Sequence, residues 1–578
     1  MKKILALLIV LALFLSGCEY ITIPGQSTPP IADGGNNTPD GGSTPDNTPD
    51  DTPEIPGTDP EKCIHAVTTT KNVRVATCTE EGYTGDVVCC ACELIISIGK
   101  AVAKSAHTYS GEKCLLCGYV KPDECLTHED VDDNGECDVC GINVLIWYEF
   151  YSVNDLHGKF KDTDAQPGVD ELTTFFKEAK KQNENVILLS AGDMWQGSAE
   201  SNLTKGNIVT DWMNELGFVS MTLGNHEFDW GEEYIIDNAE IANFPFLAIN
   251  ICEKATNEQV DYCESSIIVD IGGYQIGIIG AIGDCYDSIL NERVEDIYFK
   301  TGNELTNLVK AESVKLREQG ADLIIYSLHS DSGDYDVSLS NGYIDLVFEG
   351  HTHSSYVKYD SYGVAHLQGG GENRGISYAK LSFNTANGNT KTETAKTINS
   401  SVYKKYESDP LVSELLEKYK DIIGDAFAPL GYNCTYRDDS EIEALVAKLY
   451  YEYGKERWGD QYDIVLGGGS LNTRSPYNIY KGDVTYSQLQ SIFPFDNDIT
   501  LCAVKGADLL EKFINSNYAT YYEIDASTID PNKTYYLVTD TWTSDYASNN
   551  LTEIGRYDPY VYARDLLAEY IKNGGWEQ

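Results

Sequence analysis

Residues 221–229 read Met221-Thr222-Leu223-Gly224-Asn225-His226-Glu227-Phe228-Asp229. An apolar run stops at a glycine, and an amide, an imidazole and two carboxylates follow within five residues. The same grammar recurs on both sides. Val144–Val153 is apolar and aromatic and runs into Asn154-Asp155-Leu156-His157-Gly158, and Val186–Ser190 opens into Ala191-Gly192-Asp193. Further on, Gln275–Ile282 and Leu323–Tyr326 read as strands, the second leading to Leu328-His329, and Ile344–Phe348 leads to Glu349-Gly350-His351-Thr352-His353. Amphipathic stretches with helical spacing, Val169–Lys181 and Asn303–Gln319, lie between them. Apolar strands alternating with helices predict an α/β sheet structure. In such sheets ligands bind at the carboxyl ends of the strands, so these polar loops are expected to converge.

Composition sets the limits around this core. The chain has 578 residues, 42% of them hydrophobic, with 40 tyrosines and 16 phenylalanines. That is enough to bury several cores, which excludes global disorder. Lys and Arg number 42 against 91 Asp and Glu, a formal net charge of −49. Such a field repels a nucleic-acid backbone, so no nucleic-acid binding is expected. A small phosphorylated substrate stays compatible, because bound metal ions supply positive charge locally.

Each polar loop alone is weak evidence, since Gly-Asp is ordinary turn chemistry. Together they are specific: six of the nine histidines follow residue 150, and five of those six fall inside the loops. The sixth, His366, is expected to be structural. The ordered set Asp155-x-His157, Gly192-Asp193, Gly224-Asn225-His226-Glu227, His329 and Gly350-His351-x-His353 resembles the calcineurin-like metallophosphoesterases. The resemblance implies a four-layer β-sandwich flanked by helices that holds two divalent metals, Zn, Mn, Fe or Co. It implies Asp155, His157, Asp193 and His353 as ligands of the first metal. Asp193, as a bridge, would join Asn225, His329 and His351 on the second. His226 would face the substrate, oriented by Asp229, and a metal-bridging hydroxide would attack the phosphorus.

The residues after the strand expected at Ala379–Phe383 leave room for another domain. Gly467-Gly468-Gly469-Ser470-Leu471-Asn472-Thr473-Arg474 and Phe493-Pro494-Phe495-Asp496-Asn497 resemble the C-terminal domain of the 5′-nucleotidase family. The resemblance implies an α/β domain that grips a nucleoside, with Phe495 stacking on the base and Tyr560 as second aromatic, followed by Asp565. The family places Asn directly before the glycines and Arg soon after them. Here Leu466 precedes the glycines and Arg474 comes late, so Asn472 and Arg474, with Arg437 as a weaker candidate, are the expected substrate contacts. A core position for Phe495 is the competing reading.

The N-terminus reads as an address. Lys2 and Lys3 precede an apolar run, too short to span a bilayer, that ends Leu15-Ser16-Gly17-Cys18 and resembles a bacterial lipobox. It implies lipidation of Cys18 and a membrane anchor on the extracellular face. A Thr/Pro/Gly/Asp tether follows, with little to bury. Ten of the sixteen cysteines then fall between Cys63 and Cys140. The pairs Cys89/Cys92, Cys114/Cys117 and Cys137/Cys140, with Cys125-x-x-His128 and the nearby Cys63, His65 and His107, fit structural zinc. Disulfides are the alternative. Cys252 and Cys263 are spaced for a local disulfide.

The expected organisation is a signal peptide at 1–17, a linker at 18–61, a Cys/His-rich module at 62–143, a catalytic domain at 144–398 and a substrate domain at 399–578. The expected function is an exported two-metal 5′-nucleotidase acting on nucleoside monophosphates. A UDP-sugar hydrolase or a 2′,3′-cyclic-nucleotide phosphodiesterase is the alternative within the chemistry. A surface adhesion protein retaining a phosphatase fold is the alternative outside it.

Overall fold

The computed structural model describes residues 63–577 apart from 64, 106, 111–112, 119–126, 163–166, 332, 475–477 and 557–560. The expected signal peptide, the whole tether, Cys18, Cys125 and Tyr560 lie outside the described residues. The chain forms two compact units. One comprises the described residues up to Leu145 together with Asn384–Asn387, and the other comprises Ile146–Phe383 and Gly388 onward.

The first unit is built from short hairpins. Thr68–Lys71, Asp86–Cys89 and Ile95–Ser97 form an antiparallel sheet, and Gly82–Tyr83 pairs with Ala101–Val102. The turn at 384–387, expected to belong to the catalytic domain, is part of this unit: Asn384 and Asn387 donate their amides to Asp130 and Asp133.

The second unit carries two six-stranded sheets face to face. The first runs, in spatial order, Phe246–Leu247, Ser220–Thr222, Val186–Ser190, Leu145–Val153, Gly375–Asn384, Thr390–Asn399. The second runs Ser266–Ile271, Tyr274–Ile282, Leu323–Ser330, Leu346–His351, Ala365–Gly369, Ser355–Tyr359. The four neighbouring strands from Phe246–Leu247 to Leu145–Val153 are parallel, and so are the central strands of the second sheet.

Packing explains why these strands read as unbroken apolar runs. Ile187 and Leu189 point into the core between the sheets, with Phe150, Ile278, Ile325 and Phe348. Val186 and Leu188 point the other way, into a core shared with the helices Asp170–Gln182 and Asn207–Leu216. The helix Gly302–Glu318 covers the far face of the second sheet through Leu305, Val309 and Leu316. Helix, sheet, sheet and helix make the four layers, and strands buried on both faces need no polar alternation.

The second half holds a five-stranded sheet in the order Ala519–Tyr522, Ile464–Gly469, Thr534–Asp540, Ile499–Lys505, Thr552–Arg556. Asp439–Trp458 packs on it, started by a capping box between Asp438 and Glu441. The boundary expected at 398/399 does not match the cores. Tyr403, Leu411, Val412, Leu415, Tyr419 and Ile423 pack into the catalytic-half core with Phe176 and Trp212, so residues 400–426 belong with that half. Among the described residues no helix is long and apolar enough to cross a membrane.

Candidate active site

The polar loops converge at the carboxyl ends of strands from both sheets. One strand ends at Val153 ahead of Asp155, another at Ser190 ahead of Asp193, and a third at Thr222 ahead of Asn225. His329 was expected just after its strand. It lies within the strand, because its backbone stays paired with Ile282 on one side and Gly350 on the other.

The backbone is unusual here. Asp155, His157, Asp193, His351 and His353 all have positive φ, between 51° and 85°. Five of the seven expected metal ligands thus sit in the left-handed region that non-glycine residues rarely occupy. Such strain persists only where surrounding structure over-determines it. Glu227 does much of that work. Its carboxylate accepts the backbone N–H of Asp193 at 2.9 Å, Met194 at 2.8 Å and Gly224 at 2.7 Å, which ties the Asp193 loop to the Asn225–His226 loop. Burial, reinforced by Asp193, pushes its pKa up to about 7. Replacing Glu227 with Ala strands several buried N–H groups and is expected to weaken metal affinity about 10–100-fold. Metal titration of the variant followed by release of phosphate checks this, and unchanged affinity would make Glu227 mere packing.

The ring orientations fit a cation. His157 Nδ1 lies 2.9 Å from both the Gln196 carbonyl and Arg474 Nη2, and its Nε2 faces His353 Nε2 at 2.9 Å and Asp193 Oδ2 at 3.9 Å. His329 Nδ1 donates to the Ala191 carbonyl at 2.7 Å, so its Nε2 faces Asp193 Oδ2 at 3.0 Å and Asn225 Oδ1 at 3.3 Å. Asn225 Oδ1 is also 3.0 Å from His351 Nδ1, and Asp155 Oδ1 is 3.4 Å from His353 Nε2. Asp193 Oδ2 is buried without a hydrogen-bond donor. Imidazole nitrogens and carboxylate and amide oxygens crowded around one buried carboxylate oxygen are what divalent metals satisfy, and His329 gives its other N–H to a carbonyl as histidine ligands typically do. Burial first, then Arg474 and His353, hold His157 well below the usual histidine range. Burial also opposes charge on His329, yet Asp193 outweighs it and raises His329 to about 10, so this pair retains a positive charge, proton or metal. The structure thus brings all seven expected ligands into one cluster.

His226 stands at the rim. Its backbone N–H donates to Asp193 Oδ1 at 2.9 Å, and its Nδ1 lies 2.9 Å from Asp229 Oδ2, which turns Nε2 away from Asp229. Burial disfavours the imidazolium, but Asp229 and Asp193 together raise its pKa above the ordinary value. Both residues line a pocket of about 190 Å³ with Asn472, Phe495, Asn497 and Trp542.

The expected substrate contacts divide. Phe493 is the core aromatic. Phe495 is half-buried, and its ring stacks on His226 at 5.5 Å and 28°. Arg474 reaches the metal cluster: its Nη2 is 2.9 Å from His157 Nδ1 and 3.3 Å from Gln196 Oε1, and its Nε–H is buried without an acceptor. Asn472 reaches the pocket through a left-handed turn, φ 40°. Two expectations fail. Arg437 donates to Asn433 and stacks on Trp576, away from the pocket lining. Asp565 accepts from Tyr486 Oη and the Tyr562 N–H, as the start of the helix Ala563–Lys572.

Several contributors escaped the sequence reading. Trp542 lies in the short helix Thr541–Asp545 that directly follows the strand Thr534–Asp540, so a strand end again leads into the pocket. Arg564, fully buried, pairs with Asp496 and donates to the Phe495 carbonyl at 2.6 Å. Lys205 of the catalytic half also meets Asp496, at 2.8 Å, so the Phe495 loop is fixed from both sides. Elsewhere, Cys252 and Cys263 are separate buried thiols and form no disulfide. His366 is structural as expected, lying between Glu349 at 3.5 Å and Asp360 at 3.4 Å.

The family profile of the calcineurin-like phosphoesterases matches residues 149–355, the stretch that supplies every one of the seven expected ligands. Residues 149–355 are a calcineurin-like phosphoesterase domain. The chain is 28% identical over 403 residues to an apyrase of Tabanus yao, covering 62% of this chain and 72% of that protein. It is 25% identical over 416 residues to a snake venom 5′-nucleotidase of Naja atra, covering 63% and 76%. In fold it resembles a 5′-nucleotidase precursor from Thermus thermophilus, with a TM-score of 0.61 at 17% identity over 74% of this chain and 96% of that one. With its phosphoesterase domain the chain is a metal-dependent phosphoester hydrolase.

Proposed function

We propose that the chain is a 5′-nucleotidase, releasing phosphate from nucleoside monophosphates at two divalent metals. The observation that carries this reading is the pocket in which Phe495 and Trp542 adjoin His226. An aromatic platform beside a phosphoryl site suits a nucleotide, because every base offers a π-face for stacking.

Asp155, His157, Asp193 and His353 would hold one metal, and Asp193, Asn225, His329 and His351 the other. Bound there, the metals would supply Lewis acidity and lower the pKa of a coordinated water. The chain's own side chains account for the rest. Arg474 and Gln196 present buried donors beside the metal cluster, a place for phosphate oxygens. His226, raised in pKa and fixed by Asp229, is set to give a proton or positive charge to the leaving oxygen. Asn472 and Asn497 offer amides to the sugar.

A phosphate-release panel on the metal-depleted chain, with Mn²⁺, Zn²⁺ or Co²⁺ restored, tests the class. Hydrolysis of mononucleotides in preference to bis-p-nitrophenyl phosphate, sugar phosphates, nucleotide sugars and 2′,3′-cyclic nucleotides is expected. A preference for nucleotide sugars or cyclic nucleotides would replace this reading, and no turnover of any ester would favour a surface-binding protein.

Trp542→Ala is expected to raise KM for nucleotides by the worth of one stacked base, about 1–3 kcal/mol, while p-nitrophenyl phosphate is hydrolysed as before. Phe495→Ala should show the same contrast with a small added loss on both substrates, because its ring also supports His226. Equal losses on both substrates with a lowered Tm would make these rings packing. We further infer that the enzyme is exported and lipid-anchored through Cys18, on the strength of Leu15-Ser16-Gly17-Cys18. A Cys18→Ala chain released from membranes is the expected result, and one that stays bound would refute the anchor.

A further inference from the structure

Among its described residues the cysteine-rich unit has almost no apolar core. Between Cys63 and Val144 the buried apolar ones among the described residues are Cys78, Val88, Cys89, Cys114, Cys137, Val139 and Val144, so four of the seven are cysteines. Leu94, Ile95, Ile96, Ile98, Leu115 and Leu116 stay exposed. A domain of this size with so little to bury needs staples, either disulfides or metals.

The side chains form clusters that spacing alone did not reveal. Cys63, His65, Cys89 and Cys92 bring one ligand atom each within 4.8 Å of one another, and so do Cys78, His107, Cys114 and Cys117. Cys78 has no Cys-x-x-Cys partner and was not an expected ligand. Along the chain the two sets interleave, since Cys78 lies between the two halves of the first.

The distances separate the two kinds of staple. Cys63 Sγ is 3.5 Å from Cys89 Sγ, Cys92 Sγ is 3.4 Å from His65 Nδ1, and Cys117 Sγ is 3.2 Å from His107 Nδ1. A disulfide needs sulfurs about 2.0 Å apart. A tetrahedral zinc with Zn–S about 2.3 Å and Zn–N about 2.0–2.1 Å puts its sulfurs about 3.8 Å apart and sulfur and nitrogen about 3.6 Å apart. Stoichiometry agrees: each cluster has three thiols and one imidazole, and three thiols cannot all pair as disulfides. All six thiols are free.

The backbone is shaped for the same task each time. The N–H of Glu93 donates to the Cys89 carbonyl at 3.0 Å, and that of Gly118 to the Cys114 carbonyl at 2.9 Å. Both donors are left-handed, with φ 56° and 74°. The Cys137-x-x-Cys140 turn repeats this with Gly141, φ 73°, at 2.7 Å, and His128 Nδ1 lies 3.5 Å from Cys140 Sγ. A turn rebuilt in one geometry at each pair, with a histidine against each, is a metal knuckle, not an accident of loop packing.

We propose that this unit carries two structural zinc sites, one held by Cys63, His65, Cys89 and Cys92, the other by Cys78, His107, Cys114 and Cys117. Soft, closed tetrahedral sets of sulfur and nitrogen select zinc over the oxygen-loving cations. Each Zn²⁺ bound displaces three thiol protons, and each filled site carries a net charge of −1. The interleaved order makes the two ions pin the same stretch of chain together.

The test is made on the full chain, purified under reducing conditions. Zinc released by a thiol-capping mercurial is measured with a chelating dye, and total metals by mass spectrometry. At least two equivalents of thiol-bound zinc per chain are expected. Cys89→Ser and Cys114→Ser should each lose one equivalent and keep hydrolysis of p-nitrophenyl phosphate. Because a variant can misfold, cobalt substitution of the unaltered chain gives an independent readout: thiolate-to-cobalt charge-transfer bands with tetrahedral d–d absorption. Absence of those bands, zinc that no mercurial releases, iron in place of zinc, or cysteines that prove paired on denaturation without reductant would each overturn the proposal.

Discussion

Replacing Asp193 with Ala should empty both catalytic metal positions at once and reduce phosphate release about 10³-fold or more. The magnitude follows from the several kcal/mol that metal ions contribute to a developing charge, at about 1.4 kcal/mol for each tenfold in rate. The reason for a double loss is geometric. Asp193 Oδ2 is 3.0 Å from His329 Nε2 and 3.9 Å from His157 Nε2, and those two rings belong to opposite halves of the ligand cluster. Its Oδ1 also accepts the His226 N–H, so the side chain organises the acid–base residue as well. Global unfolding is not the expected cause, because Glu227 holds three of the surrounding backbone N–H groups and Asp193 only that of His226. Metal analysis of the variant decides the matter: two tightly bound ions would show that the bridging assignment is wrong.

His226→Asn should do the opposite to metals and nearly as much to rate. Both ions stay bound, since the His226 ring is held by Asp229 and only its backbone N–H, which the substitution keeps, meets Asp193, and kcat falls about 10²–10⁴-fold, the scale of a positioned proton donor. The Asp229 carboxylate at 2.9 Å fixes which ring nitrogen carries the useful proton. Asp229→Asn should therefore lower kcat by less than His226→Asn while leaving KM for nucleotides nearly unchanged. If His226→Asn loses metal, the residue is a ligand and the proton comes from elsewhere.

Much of this site was legible in the sequence because its chemistry is local. An apolar strand buried on both faces, such as Val186–Ser190, announces itself as a run, and the polar residues that follow it cannot be core. The five motifs therefore named all seven side chains that the fold gathers into the cluster. What stayed hidden depends on tertiary closure. The positive φ of Asp155, His157, Asp193, His351 and His353 is imposed by loops meeting from two sheets, and no propensity scale reports it. Cys78 lacks a near neighbour of its own kind, and only the fold brings it to Cys114 and Cys117.

Neighbours on a helix show the same limit. Asp565 and Arg564 are adjacent, but one residue of helix turns about 100°, so one caps the helix start while the other reaches Asp496 and the Phe495 loop. The helices between Ser400 and Ile423 have a clear apolar face, yet amphipathicity does not say which core that face joins. That is why the boundary between the two halves was placed too early.

The central claim is that hydrolysis requires two metal ions sharing Asp193. Mn²⁺ serves as the probe, because it favours oxygen and nitrogen ligands and leaves thiol sites to zinc. The metal-depleted chain is titrated with Mn²⁺ while tight binding and phosphate release from a nucleoside monophosphate are followed together. The account predicts activity that rises with the second equivalent and saturates at two ions per chain, with neither bound tightly by Asp193→Ala. Full activity at one equivalent, or activity that persists without any metal, would contradict it.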